Sequence, residues 1–371
     1  MIPYSRQSIS GADQSAVIRV LKSDYLTQGP EIEKFERSLA RYCGVKYAVA
    51  VASGTAALHA AYVAAGIGKG DEIITTPLTF SATANMALAV GAKVVFADID
   101  EKTGNLDPIS VTRKITKRTK AIAPVDYGGN PASLTAFRKL AKKHRLILIE
   151  DAAQALGARY YGRRIGSLSD MTTFSFHPVK SITTGEGGAI LTNRRDYADT
   201  LRLFRTHGIQ KGKRDWPAWR QEMLLLGFNY RLTDLQAALG RSQLRRLDTF
   251  IAKRRAAAER YFKFLKGVPL ILPPRELLKT SAWHLFPVRL PKGAAKKRDK
   301  IFAEMRKRGI GVQVHHVPVH LHPFYRSLGY KRGMCPKAET FASSELSLPL
   351  FPDITERQQR FIIRTLLQLL R

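Results

Sequence analysis

Cysteine is nearly absent from the chain: only Cys43 and Cys335 occur in 371 residues. That count excludes a disulfide framework and fits a reducing cytoplasm. No run of eighteen apolar residues is present, so a membrane-spanning helix and insertion into a bilayer are not expected. The opening Met1-Ile2-Pro3-Tyr4-Ser5-Arg6 lacks the basic-then-apolar layout of a secretory signal. Acidic side chains are scarce as well: 30 Asp plus Glu stand against 61 Lys plus Arg, a formal charge of +31. Such an excess gathers anions around a molecule. It is crowded at 241–266 and 292–300, yet no zinc-finger spacing or aromatic-studded basic strand accompanies it. Specific nucleic-acid reading is therefore not expected.

What is present is enough apolar residue, 44%, for a substantial core, and enough length for two domains. Between residues 47 and 193 short apolar runs alternate with helical patterns. Strands are predicted at 47–52, 72–76, 94–98, 121–126 and 146–150, with helices at 55–65, 81–90, 108–115 and 134–144. Alternation of this kind predicts an α/β fold with a large, mostly parallel sheet covered on both faces. Ligands on such sheets gather outside the carboxyl ends of the strands. The polar stretch at 209–222, with Trp216, Pro217 and Trp219, reads as a surface excursion. A long helix over 233–265, capped by Thr233 or Asp234, follows. A strand at 285–290, a basic helix at 294–308, a strand at 311–316 and a final helix from Thr355 then read as a small α+β domain. The expected division is 1–245 and 246–371.

Four segments carry chemistry. Lys180 lies in a turn between the apolar runs 171–176 and 188–192, with Gly185, Gly187 and Gly188 leaving room beside it. An amine held neutral there suits condensation with an aldehyde. Ala52-Ser53-Gly54-Thr55 sits where a strand turns into a helix, a geometry that binds a phosphate dianion through free amides and the helix dipole. A plain strand-helix junction capped by Ser53 has the same signature. Asp151 closes another strand and offers a carboxylate to a protonated ring nitrogen, or simply a helix cap, with Gln154 one turn on. Phe80, after a third strand, can stack on a flat heteroaromatic or serve the core, and Ser175 adds a hydroxyl. Together these ask for pyridoxal 5′-phosphate. His315, His316, His320 and His322 fall within eight residues, but neighbours on a strand face opposite ways, so no metal site is expected.

The chain also resembles a known family. Ser53-Gly54-Thr55-Ala56-Ala57-Leu58, Thr79-Phe80-Ser81-Ala82-Thr83-Ala84-Asn85, Glu150-Asp151-Ala152-Ala153-Gln154-Ala155 and Ser175-Phe176-His177-Pro178-Val179-Lys180 are similar to the DegT/DnrJ/EryC1/StrS sugar aminotransferases. So are Gly227-Phe228-Asn229-Tyr230-Arg231 and Leu235-Gln236-Ala237-Ala238. The resemblance implies the type I pyridoxal-phosphate transferase fold, aspartate aminotransferase-like, in a homodimer with shared active sites. It implies that Lys180 carries the cofactor and moves the substrate proton, and that Asp151 pairs with the pyridine nitrogen. Phe80 and Gln154 would flank the ring. Gly54, Thr55 and Ser175 would take the phosphate, joined by Asn229 of the partner subunit. The amino donor would be L-glutamate.

Asp126-Tyr127-Gly128-Gly129 and Ile182-Thr183-Thr184-Gly185-Glu186 resemble the branch acting on 4-keto sugars. Tyr4-Ser5, Leu26-Thr27-Gln28-Gly29, Thr75-Thr76-Pro77, Asn85-Met86, Gln313-Val314-His315 and Ser347-Leu348-Pro349 are similar to members acting in the pseudaminic acid pathway. Their acceptor is a UDP-linked keto sugar, UDP-2-acetamido-2,6-dideoxy-β-L-arabino-hexos-4-ulose. On that likeness Tyr4, Asp24, Tyr25, Leu26, Thr27, Gly54, Ser175, Asn229, Gln313, Val314, His315 and His316 would line the sugar-nucleotide pocket. The chain departs from such members at Gly54, often alanine, and at His316, often tyrosine. Another nucleotide-sugar 4-aminotransferase, of bacillosamine or viosamine type, and a regulatory protein on the cofactor fold remain as alternatives. A dehydratase on this scaffold usually has histidine where this chain has Lys180.

Overall fold

Short runs rich in Val, Ile and Ala build a seven-stranded sheet. Its strands are β1 (Tyr47–Val51), β2 (Glu72–Thr75), β3 (Lys93–Phe96), β4 (Thr119–Ala123), β5 (Ile147–Asp151), β6 (Met171–Ser175) and β7 (Gly188–Thr192). These ranges come from a computed structural model that describes residues 1–212, 215–291 and 293–370. Parts of the stretches read at 209–222 and 292–300, namely Lys213, Arg214 and Lys292, lie outside the described residues, as does Arg371. The strand order is β1-β7-β6-β5-β4-β2-β3. All strands run parallel except β7, which pairs antiparallel with both β1 and β6. The apolar, nearly continuous strands are what a sheet covered on both faces requires.

The helices include α1 (Gly11–Leu21), α2 (Pro30–Cys43), α3 (Gly54–Ala64), α4 (Ala82–Ala89), α5 (Pro108–Thr112), α6 (Leu134–His144), α7 (Arg195–Phe204), α8 (Asp234–Leu244), α9 (Leu247–Phe264) and α10 (Arg298–Lys307). One core joins Ala50, Ile122, Leu148 and Phe174 of the sheet to α2, α6, α8 and the start of α9. A second joins Val49, Ile73, Ile149 and Ile190 to α3, α4 and α7. A third gathers the rest of α9 (Ala257, Tyr261) with Phe286, Met305, Leu346 and Ile362 of the C-terminal part. There β8 (Phe286–Arg289) pairs antiparallel with β9 (Glu345–Leu348), and the chain ends in a helix at Glu356–Leu370.

Three sequence expectations change. The helix expected over 233–265 is two helices, because Arg246 leaves helical geometry and turns its guanidinium to the buried Asp13 and to the carbonyl of Ser8. Thr233 does cap the first, in a reciprocal capping box with Gln236. The strand expected at 311–316 is only an isolated bridge between Gln313 and Ser347. Its neighbours are bound elsewhere: the amide of Gly311 donates to Ile2 and that of His315 to the side chain of Glu345. The sheet partner of Phe286–Arg289 is instead Glu345–Leu348, which no pattern flagged. Within 209–222 an antiparallel pair forms between Ile209–Lys211 and Gln221–Met223.

Candidate active site

Four of the parallel strands deliver polar residues at or just beyond their carboxyl ends. β1 leads to Ser53, Gly54 and Thr55; β2 to Thr79, Phe80 and Thr83; β5 ends on Asp151; β6 ends on Ser175 and leads to Lys180. This edge is where parallel sheets collect ligands.

Asp151 is 5% exposed. The hydroxyl of Thr83 donates to its Oδ2 at 2.6 Å, and the amide of Ala153 donates to Oδ1 at 3.1 Å. Thr83 is held in turn by Thr79, 3.0 Å between hydroxyls. Burial raises the carboxyl pKa, while Thr83, Ala153 and the charge of Lys180 pull it back. Lys180 stands in the opposite sense. Burial of its amine lowers the pKa to about 8, against the pull of Asp151. At that value about a tenth of the amines are neutral at pH 7, roughly two- to three-hundredfold more than for a free lysine. The turn carrying it is fixed from behind. The carbonyl of Val179 accepts from Ser5 Oγ at 3.4 Å and from the buried guanidinium of Arg254 at 3.3 Å.

Ser53 caps α3 by accepting from the amide of Ala56, so the amides of Gly54 and Thr55 have no intrahelical acceptor. A Cβ on Gly54 would come within 2.8 Å of Ser175 Cβ, which shows how closely the helix start approaches β6. Gln154 is buried, its Oε1 accepting from the amide of Gly128 at 2.7 Å. Phe80 is 64% exposed and edges toward His316, 6.4 Å between ring centroids.

From the C-terminal part come His315 and His316. His315 Nδ1 meets Ser347 Oγ at 2.8 Å, and Ser347 hydrogen-bonds the buried Glu345. Burial raises Glu345 to about 8 and, with the charge of Lys180, lowers His315 to about 4. Ser347 Oγ donates to one oxygen of Glu345 and the amide of His315 donates to the other, while His315 Nδ1 and Ser347 Oγ share a further hydrogen bond. Tyr4 lies against His315, ring centroids 5.8 Å apart. Burial drives His284 and His316 well below the ordinary histidine value, and among the described residues neither His284 Nδ1 nor His316 Nε2 has a hydrogen-bond partner.

The structure thus brings together Lys180, Asp151, Gly54, Thr55, Ser175, Gln154 and Phe80 at one edge, with Tyr4 and Gln313 to His316 beside them. Asp24, Tyr25, Leu26 and Thr27 lie elsewhere in the protomer, exposed along the start of α8, where the amide of Asp234 donates to Leu26. Asn229 is exposed on a segment whose next residue, Tyr230, accepts from the amide of Ala52. Thr83, Glu345, His284 and Arg254 were not legible as site residues. Thr83 alone had a signal, as the hydroxyl one turn after Thr79. Among the described residues no group of histidine, cysteine or carboxylate side chains is placed to hold a metal.

A model of the DegT/DnrJ/EryC1/StrS aminotransferase family matches residues 7–367. The chain is 40% identical over 375 residues to the UDP-4-amino-4,6-dideoxy-N-acetyl-beta-L-altrosamine transaminase of Campylobacter jejuni, covering all of this chain and 98% of the other. Its fold superposes on Helicobacter pylori PseC, an aminotransferase of pseudaminic acid biosynthesis, with a TM-score of 0.94 at 35% identity, covering 100% and 99% of the two chains. A Streptococcus pneumoniae chain described as a sugar aminotransferase, solved in a PLP form, gives a TM-score of 0.94 at 28% identity, covering 100% and 98%. With this match along nearly its whole length, the chain belongs to the DegT/DnrJ/EryC1/StrS aminotransferases, a pyridoxal-phosphate-dependent family of nucleotide-sugar aminotransferases.

Proposed function

We propose that this chain binds pyridoxal 5′-phosphate and transfers the amino group of L-glutamate to C4 of a UDP-linked 4-keto-6-deoxy-N-acetylhexosamine. The acceptor we assign is UDP-2-acetamido-2,6-dideoxy-β-L-arabino-hexos-4-ulose, giving UDP-4-amino-4,6-dideoxy-N-acetyl-β-L-altrosamine. The observation that carries the reading is the pairing of a lysine depressed to about 8 with a buried, doubly hydrogen-bonded aspartate at the carboxyl edge of the sheet. The names of the Campylobacter and Helicobacter relatives support the choice of sugar.

The residues fit the cofactor. The close approach of α3 to Ser175, possible only because Gly54 has no Cβ, leaves the first amides of the helix and the Ser175 hydroxyl to hold a phosphate. When bound, the cofactor supplies an aldehyde that takes up an amino group and a pyridinium ring that withdraws electrons. Asp151 holds a proton on the pyridine nitrogen, and Thr83 fixes the carboxylate that does so. Lys180 carries the cofactor between turnovers; its neutral Nζ accepts the substrate proton and returns it. Gln154 and Phe80 flank the ring. Tyr4 and Gln313 to His316 line the acceptor pocket with Gly54 and Ser175. Asn229 and the 24–27 segment reach the site of the partner subunit in a homodimer, which accounts for their exposure in one protomer. The two free, buried thiols suit a cytoplasmic enzyme. We divide the chain at 245/246, between α8 and α9.

In the protein freed of cofactor, amine-reactive labelling of Lys180 should rise with pH about a midpoint near 8; a midpoint near 10.5 contradicts the assignment. Incubation with L-glutamate and a panel of UDP- and dTDP-linked keto sugars, with NMR of the product, tests the substrate. Amination of the UDP-β-L-arabino-hexos-4-ulose at C4 is expected. Preference for another sugar would replace the acceptor, and no amination of any would reject the reading.

A further inference from the structure

The topology gathers part of the excess of positive charge along one edge of the sheet. At the amino ends of the parallel strands, the edge opposite Lys180, nearly every chain entry carries a cation. Lys46 precedes β1, Lys69 precedes β2, Lys93 opens β3, Lys117 and Lys120 straddle the start of β4, and Arg145 precedes β5. Arg194 and Arg195 follow β7, whose reversed direction brings its carboxyl end to the same edge. Seven strands at their usual spacing spread this row over about 29 Å. Behind it, Arg138, Lys139 and Lys142 of α6 rim a recess of about 560 Å3 floored by Leu146, Leu148 and Leu168, with Ser169 and Asn193 at its side.

Acidic groups neutralise this face only in part. Glu72 is buried and holds Arg118 and Lys93; Asp196 and Asp199 hold Arg194 and Arg195. Asp71 and Asp170 accept from the amides of Gly68 and Leu148. Among the described residues, Lys46, Lys69, Lys117, Lys120, Lys142 and Lys143 form no ion pair, and all are exposed. The carboxyl ends of α2 to α6 also finish here, and their dipoles favour some positive charge. That effect fades within one turn, and Lys46, Lys69, Lys117 and Lys120 lie beyond it.

We propose that this edge of the sheet is a docking face for a bilayer rich in anionic lipid headgroups. The strands and helices end together, so no helix or ribbon projects to enter a nucleic-acid groove. Among the described residues, none of the exposed large apolar side chains belongs to these strand starts or helix ends, so the face offers neither a base-stacking platform nor a wedge for insertion. What it offers is a broad array of unpaired cations, complementary to an array of headgroup phosphates and sensitive to salt. Because it lies opposite Lys180, docking leaves the candidate active site facing away from the bilayer.

The test is co-sedimentation of the full-length protein with vesicles of equal parts phosphatidylglycerol and phosphatidylcholine, at low and high salt. Each lysine near such a surface contributes about fivefold to partitioning. Neutralising Lys69, Lys117, Lys120 and Lys142 to Gln should therefore weaken binding more than about 100-fold. A control set elsewhere, Lys331, Arg332, Arg357 and Arg364 to Gln, has the same net charge and should bind nearly as the parent does. A second face set, Lys46, Arg138, Lys139 and Lys143 to Gln, repeats the comparison if the first does not fold. Equal losses in face and control sets, or no retention of the parent on the vesicles, would overturn the proposal. So would tighter retention on a 30-base-pair duplex than on the vesicles, which would hand the face to nucleic acid.

Discussion

Thr83 carries no recognisable chemistry of its own, yet its hydroxyl sets the carboxylate on which the proposed ring contact depends. Replacing Thr83 by Val keeps the shape and removes the donor. A hydrogen bond to a charged group contributes about 1.5–3 kcal/mol, so pyridoxal-phosphate affinity should fall about 10- to 100-fold. Thr83→Ser should keep most of it. Absorbance titration of the two variants measures this, and equal affinities would remove Thr83 from the site. Asp151 was legible because it closes a strand, and Lys180 because it lies in a turn between two apolar runs, positions visible in the hydrophobic pattern. Thr83 and Arg254 were not, because what matters is the partner they meet across the fold: Asp151 is 68 residues from Thr83, and Val179 is 75 from Arg254.

The pair of strands β8 and β9 places Glu345 under His315, and the cost of burying that carboxyl gives this element a pH signature. Its folded pKa is raised from 4.5 to about 8, so the folded state keeps a proton that the unfolded chain releases. Stability from this group is full below pH 4.5, falls as pH rises toward about 8, and is constant above. Glu345→Gln retains one donor and one acceptor and has no such slope. Urea unfolding at pH 5, 6.5 and 8.5 should show the variant gaining on the parent as pH rises, by up to a few kcal/mol. Parallel curves would mean the carboxyl ionises in place. The same element shows the reach of pattern reading. Strands of the large sheet were found because both their faces are apolar. Glu345–Leu348 alternates charge, apolar residue and hydroxyl, and its polar members are buried only because they bind His315. The stretch at 311–316 has the alternation of a strand, with Val312 and Val314, but only Gln313 bridges to Ser347, while the amides of Gly311 and His315 go to the N-terminal segment and to Glu345.

At the scale of the molecule, the exposure of Asn229 and of residues 24–27 makes one protomer an incomplete site under the proposed reading. Lys180→Ala and Asn229→Ala should each be inactive alone. Co-refolded in equal amounts they should recover about a quarter of parental activity, because half the dimers are mixed and each mixed dimer holds one intact site. No recovery would place Asn229 outside the partner's site. The reversed strand β7 has a consequence for lifetime as well as for placement. Since β6 and β7 are neighbours inside the sheet, the connection bearing Lys180 is tied at both ends to interior ladders. The strand amides that flank this connection lie in those interior ladders, so they should exchange hydrogen as slowly as the whole molecule unfolds.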